Sequence, residues 1–412
     1  MSGVHGSRRS FLQLSVVGAA TALAAACTPP APPSAKEAAK PAQDSAAAPT
    51  AAPAAKPTEA AARPAAQAPA LGNQATITWK WQSAFGQTDI FHQMGVDLVK
   101  KIDEMSAGRI KIEVLPNGAV VPFNQIIDAT SQGLLDGGVG VPAYWFDKSR
   151  ATSLFGTGPS FGMDADQMIG WYYYGGGQPL YAELIQQNLK LNVVSFFGPP
   201  MPTQPLGWFK KEITSADDFK GLKYRTVGLS ADLFKELGAA VVILPGPEVV
   251  PSLERGVIDG AEFNNPSSDK LLGFQDVVKV LMVQSYHQPV EFLEFLVNKQ
   301  KFESLPADLQ AIFRYATMAE SADGGWKYFL DANSKDLQEI KSKGVKVMTT
   351  PASILQAQLG AWDVVVERES NDPFFKKVIE SQRQWAARVV PLRAQVMVDN
   401  SLAFKHYFPN AT

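Results

Sequence analysis

The sequence predicts an α/β protein of two lobes, with mixed β-sheets, a cleft between the lobes and long C-terminal helices. Three observations carry this. A β-α-β-α-β pattern opens the apolar part of the chain, a strand, Leu-Pro, helix, Gly-x-x-Asp-Gly unit occurs twice, and residues 305–412 are largely helical in pattern.

Residues 76–81 alternate apolar and polar side chains, which is a strand signal. An amphipathic helix follows over 91–105, with Phe91, Met94, Val96, Leu98, Val99, Ile102 and Met105 as its apolar positions and Ser106-Ala107-Gly108 as its stop. Residues 109–114 alternate again, 123–133 read as helix and 139–141 as a third strand. This run favours a parallel sheet covered by helices. Farther on, strands are predicted over 193–197, 206–209, 222–226, 241–244 and 259–263, with helices over 230–237 and 248–255. Val114-Leu115-Pro116 leads through a helix to Gly133-Leu134-Leu135-Asp136-Gly137. Ile243-Leu244-Pro245 leads likewise to Gly256-Val257-Ile258-Asp259-Gly260. Two similar lobes result, about 76–200 with later returns and about 201–300. Ligands bind where such sheets end and lobes meet. In the tail, Leu305-Pro306-Ala307-Asp308 starts a helix that runs to about 343. A strand at 345–348, a helix at 353–369 and one long helix over 372–406, kinked at Pro391, complete it. Such a tail wraps the back of one lobe or reaches a second subunit.

The chain has 412 residues, a formal net charge of -2 and 46% hydrophobic residues, enough for a full core and without a basic footprint for nucleic acid. Ser7-Arg8-Arg9-Ser10-Phe11-Leu12-Gln13 is a twin-arginine pattern, and the apolar run 14–26 is too short to stay in a bilayer as a helix. That run ends at Cys27, the single cysteine. Ala24-Ala25-Ala26-Cys27 resembles a lipoprotein cleavage box, departing from it at Ala24, where a larger aliphatic residue is usual. Residues 1–27 therefore read as a twin-arginine lipoprotein signal with Cys27 lipidated, or as a signal peptide that merely contains the cysteine; both export the chain. Residues 28–72, almost all Ala, Pro, Ser, Lys, Glu and Gln, read as a disordered tether, leaving 73–412 as the folded body. With no further cysteine, disulfides play no part.

Residues 221–266 hold the sharpest chemical signal. Arg225 ends a short apolar strand just before Gly228 and Ser230 open a helix, a good seat for a carboxylate because the planar guanidinium and free helix N–H groups both donate. Glu262 and Asn264 follow a second strand-like run. Tyr144 and Trp145 lie in a loop at a strand end, where one of them can close over a ligand; most other aromatics read as core. His287 is placed near the site. No histidine pair has zinc spacing, and no Gly-x-Ser-x-Gly elbow or cysteine nucleophile is present in the folded part, which weakens an enzymatic reading.

Gly221-Leu222-Lys223-Tyr224-Arg225, Leu253-Glu254-Arg255-Gly256-Val257-Ile258-Asp259-Gly260-Ala261-Glu262 and Leu293-Glu294-Phe295-Leu296-Val297-Asn298-Lys299 together resemble the substrate-binding subunits of tripartite ATP-independent periplasmic (TRAP) transporters, the DctP-type family. The resemblance runs from about Ile77 to the C-terminus. It implies a two-lobed periplasmic-binding-protein-like fold, with Arg225 holding the carboxylate of a small organic acid and separate membrane subunits performing transport. The likeness is strongest to the subgroup that binds 2-oxo or 2-hydroxy acids together with a cation. It places Gln204, Glu262 and Phe263 around a sodium or calcium ion, and implies a possible swapped homodimer. The chain departs from the pattern at Phe263, where Trp is commoner, and at Gln288 in Tyr286-His287-Gln288-Pro289, where His-Glu-Pro is more usual. Substrate contacts are thus expected from Arg225, Gln204, Phe263, Gln288, Tyr144, Trp145 and His287. An oxygen-rich set suits a hard cation; a plain Arg225–Glu262 ion pair with no metal is the alternative. At the level of function, the alternatives are an exported lyase or hydrolase with Glu262 as base and His287 as acid, or a ligand sensor built on the same fold.

Overall fold

The computed structural model describes residues 76–410. The twin-arginine signal, Cys27 and the tether lie outside the described residues.

Eleven strands occur among those residues: β1 Ile77–Ser83, β2 Ile110–Leu115, β3 Gly137–Gly140, β4 Val193–Met201, β5 Gly207–Phe209, β6 Lys223–Arg225, β7 Ala240–Val242, β8 Gly260–Ala261, β9 Val280–Val283, β10 Glu291–Asn298 and β11 Lys346–Thr349. They form two mixed sheets, a five-stranded one in the order β2-β1-β3-β10-β4 and a six-stranded one in the order β11-β9-β5-β8-β6-β7. In the first, β1 is parallel to β2 and β3. In the second, β6 is parallel to β7 and β8. Each sheet thus holds one β-α-β-α-β unit with its first strand in the middle. Each unit then accepts an antiparallel strand from elsewhere in the chain, β10 beside β3 and β5 beside β8.

The repeated Gly-x-x-Asp-Gly has a physical reason. Asp136 N–H donates to the Lys80 carbonyl at 2.9 Å, and its carboxylate accepts from Lys80 N–H at 2.5 Å. Asp259 does the same with Lys223, at 2.7 and 3.3 Å. In both lobes the aspartate pins the third strand of the unit to the first. The glycine after it admits the crossing strand: a Cβ on Gly137 would overlap the Leu296 carbonyl and the Trp81 indole, and one on Gly260 would overlap the Phe209 ring.

The helix Ile90–Met105 covers the first sheet, burying Phe91, Met94, Leu98, Val99 and Ile102 of the expected apolar face, while Val96 is only partly buried and Met105, at the helix end, is exposed; Asp89 caps its start by accepting from Phe91 N–H. The helix Ala307–Gly324 lies against β4 and against Ile90–Met105, tied by Arg109–Asp308 and Lys101–Glu320, both 2.7 Å. It continues through a π-helical stretch, Gly325–Ala332, into Asn333–Ser342. The tail then spans both lobes. Ala352–Glu369 packs on the second-lobe helix Ser230–Glu236, and Pro373–Val396 packs on first-lobe helices that include Ala165–Tyr174.

Three expected boundaries change. The last helix does not run unbroken to 406: it passes through Pro391, ends at Val396 as Met397 turns extended, and restarts as Asn400–Tyr407 when Asp399 caps Ser401 N–H. The strand expected over 259–263 is paired only at Gly260–Ala261, because Glu262 and Phe263 turn their side chains into the site. The strand at 241–244 is Ala240–Val242, since Leu244 and Pro245 already lead into the helix Gly246–Glu254.

Candidate functional site

Arg225 is the last residue of β6, in register with Val242 of β7 and Ala261 of β8. The residues that continue those neighbouring strands therefore flank its side chain. Its Nε and Nη2 donate to the Leu244 carbonyl at 3.0 and 2.9 Å. Its Nη1 donates to the Glu262 carbonyl at 2.9 Å and to Glu262 Oε1 at 2.8 Å. Four of the five guanidinium N–H groups are spent in fixing the fork, leaving one Nη2 hydrogen. The Phe263 ring lies 5.5 Å from the guanidinium carbon. Arg225 is 1% exposed and Glu262 0%, so this is a fully desolvated ion pair.

Arg225 sits at one side of a small, partly open cavity of about 20 Å³, with Glu262 bonded behind it. The first lobe contributes an apolar wall of Phe85, Phe91, Val141 and Tyr144; the second contributes Arg225, Val227, Phe263 and Asn264. Met201, Gln204, Gln288 and Glu291, on or beside the two strands β4 and β10 that pair in the first sheet, complete it. Gln204 N–H donates to the Gln288 carbonyl at 3.1 Å, which joins the two segments that lead between the sheets.

Gln204 Oε1 and Gln288 Oε1 in this wall, and Glu262 Oε2 behind Arg225, are buried with no partner. Unpaired buried acceptors are uncommon and costly, and a cluster of them facing one cavity is what a cation or a donor-bearing ligand would satisfy. Among the described residues no group of three acidic, histidine or cysteine side chains forms a ready metal cage. Any cation here would depend on amide and ligand oxygens as well as carboxylate, a set that suits a hard ion. Burial pushes the Glu262 carboxyl up to about 7 against the lowering effect of Arg225.

The expected site residues divide into two groups. Arg225, Gln204, Glu262, Phe263, Gln288 and Tyr144 converge, the first two with Phe263, Gln288 and Tyr144 on the cavity wall and Glu262 bonded directly to Arg225. Trp145 and His287 stand behind the wall. Trp145 is buried and donates from Nε1 to Glu294 at 2.7 Å, bracing the loop that carries Tyr144. His287 Nδ1 lies 2.6 Å from Ser285 Oγ. Burial, helped by the Arg225 charge, holds its imidazole down at about 3, so it stays neutral and is no general acid at neutral pH.

The main residue missed from sequence is Glu291. All eight residues of β10 are buried, including Glu291 and Glu294. Two acids within an otherwise apolar strand were the available signal. Glu291 Oε2 accepts from Gln288 Nε2 at 2.9 Å and Thr157 Oγ1 at 3.2 Å, and Oε1 accepts from Phe292 N–H at 3.0 Å. Burial, with Glu294 and Glu262 nearby, pushes its carboxyl up to about 8.

Two sheets closing on a cavity with a buried arginine, an apolar wall and unpaired oxygens define a small-molecule binding protein. Residues 83–371 match the family model DctP, described as "Bacterial extracellular solute-binding protein, family 7", and the chain belongs to that family. It is 35% identical over 318 residues to the monocarboxylate 2-oxoacid-binding periplasmic protein all3028 of Nostoc sp., covering 76% of this chain and 82% of that one. A TRAP solute-binding protein of Bordetella bronchiseptica, a dimer of mixed occupancy with copurified calcium and picolinate, superposes with a TM-score of 0.76 at 26% identity, covering 81% of this chain and 98% of that one. One from Colwellia psychrerythraea with bound calcium and pyruvate gives 0.73 at 29% identity, covering 82% and 100%. One from Pseudoalteromonas atlantica with bound sodium and pyruvate gives 0.71, also at 29% identity and the same coverage. The chain is a TRAP transporter solute-binding protein.

Proposed function

We propose that this protein captures a small 2-oxo or 2-hydroxy monocarboxylate together with a hard cation, sodium or calcium, and delivers it to TRAP membrane subunits. The observation that carries the reading is the pairing of one buried arginine, itself bonded to Glu262, with the unpartnered oxygens of Gln204 and Gln288 around one cavity. Arg225 supplies the anion contact. Gln204, Glu262 and the Phe263 carbonyl are the candidate cation ligands, and a cation there supplies the positive charge that lets an anion enter beside Glu262. The apolar wall of Phe85, Phe91, Val141 and Tyr144 takes the ligand's carbon end. The ligands and cations in the Colwellia, Pseudoalteromonas and Bordetella structures, and the 2-oxoacid specificity in the name of the Nostoc relative, support the same reading. Capture is closure of the two lobes, which the ligand drives by binding the closed form better than the open one.

After dialysis against a chelator into a sodium-free buffer, pyruvate is expected to leave the melting temperature unchanged, and restoring calcium or sodium is expected to restore a ligand-dependent rise. Equal stabilisation with and without cation would remove the metal from this reading, while no response to any small 2-oxo or 2-hydroxy acid would remove the ligand class.

Export by the twin-arginine route and tethering through lipidated Cys27 belong to the same proposal, supported by the sequence at residues 7–27; among the described residues no helix is long and apolar enough to cross a membrane. A homodimer through the tail is supported by the exposed apolar side chains of Leu392, Val396, Met397, Val398, Leu402, Phe404 and Tyr407. Sedimentation of the full chain at micromolar concentration is expected to give twice the chain mass, and a monomer under those conditions would end the dimer reading.

A further inference from the structure

The ion-pair ledger of the cavity does not balance for an anionic ligand. Arg225 is its one cationic side chain, and Glu262 already neutralises it. Glu291 adds a second carboxyl to the same wall, and no basic side chain pairs with it among the described residues. A monocarboxylate beside one arginine would leave two uncompensated negative charges in a buried pocket if both glutamates were ionised, which is strongly unfavourable, so the carboxyls hold protons until a cation replaces them.

Glu291 is nevertheless held by a built seat. Gln288 and Thr157 both donate to its Oε2, and Phe292 N–H donates to Oε1. Gly156 leaves the space it fills, because a Cβ at that position would overlap the carboxylate. The Gln288 amide is oriented by donating to Glu291, which leaves Gln288 Oε1 without a partner. Glu291 and the Gln288 amide bonded to it thus line the same wall.

We propose that Glu291 is a specificity-determining residue that makes this site favour a divalent cation, such as calcium, over a monovalent one as the companion of its carboxylate ligand. The inference rests on the reading of the site as a cation-dependent monocarboxylate receptor. With a divalent ion that draws both carboxyls into their ionised form, two glutamates, one arginine and a monoanion sum to zero charge; with sodium they leave one negative charge. Removing the Glu291 charge reverses the preference, since the same sum then closes with a monovalent ion.

The test is calorimetric titration of pyruvate into the metal-stripped full chain at fixed pH and ionic strength, with calcium or sodium as the added cation, for the wild type, Glu291→Gln and Gln288→Glu/Glu291→Gln. Wild-type protein is expected to bind pyruvate at least about tenfold more tightly with calcium than with sodium. That ratio is expected to fall to about one or below in Glu291→Gln and to recover in the double variant, which returns an acid to the wall. Counting calcium by mass spectrometry in the wild-type complex gives a reading independent of variant folding, expected at one ion per chain. A wild-type protein that prefers sodium, or a Glu291→Gln protein that keeps the wild-type ratio, overturns the proposal while leaving the receptor reading intact. Failure of the wild type to bind pyruvate or any other small 2-oxo or 2-hydroxy acid with either cation overturns both.

Discussion

Replacing Arg225 with Ala is expected to abolish the rise in melting temperature that small 2-oxoacids produce, and also to destabilise the ligand-free protein. The two effects have different origins. Ligand response is lost because Arg225 is the cavity's only cationic side chain. Ligand-free stability falls because Arg225 makes four hydrogen bonds, two to Leu244 and two to Glu262, and its removal leaves the Glu262 carboxyl buried with no partner. Breaking one side of a buried pair costs about 3–5 kcal/mol. Arg225→Lys keeps the charge but cannot reproduce the fork, so it is expected to recover part of the stability and little of the ligand response. An Arg225→Ala/Glu262→Gln double variant removes the stranded charge and is expected to regain stability without regaining binding. Denaturant unfolding and thermal shift with pyruvate read the two effects separately. Undiminished stabilisation by 2-oxoacids in Arg225→Ala would sink the role given to this residue.

Much of the architecture was legible because its determinants are local. Alternation in 76–81 and 109–114, helical spacing over 91–105 and the doubled Gly-x-x-Asp-Gly are set by residues near one another in the chain, and the two sheets repeat one β-α-β-α-β arrangement accordingly. What was not legible depends on chain crossing. β10 reads as a motif, and nothing nearby says that it inserts beside β3 with Glu291 facing a cavity formed partly by the other lobe. Trp145 shows the same limit from the other side: sequence places it beside Tyr144 at a strand end, but only the insertion of β10 supplies Glu294, which takes its indole N–H away from the ligand space. The long C-terminal helix was over-extended because helical spacing persists past Val396 and the break comes from the cap at Asp399.

The ligand-free protein is expected to lose stability as pH rises through the neutral range, against the habit of most proteins. Asp89, Glu262, Asp269, Glu294 and Glu320 are each pushed up to about 7 from values of 3.8 or 4.5, and Glu291 to about 8, in every case chiefly by burial. Between the unfolded value and the raised folded value, the folded state holds more protons than the unfolded chain. Stability then falls with pH, by about 1.4 kcal/mol per pH unit for each net proton retained. His287, lowered to about 3, and His92, also lowered by burial, act in the opposite sense, chiefly below their ordinary value of 6.5, where the unfolded imidazoles are charged. Two imidazoles offset only part of six carboxyls, so the melting temperature of the stripped protein is expected to fall from about pH 5 onward, with the carboxyl contribution standing alone from about pH 6.5 to 8. Saturation with calcium and pyruvate is expected to flatten the drop, because a cation beside Glu262 favours its ionised form and removes its share of the proton uptake. A melting temperature flat or rising from pH 6.5 to 8 in the stripped protein would show that these carboxyls are ionised in the fold, and that the cavity keeps its charges without protons or a cation to balance them.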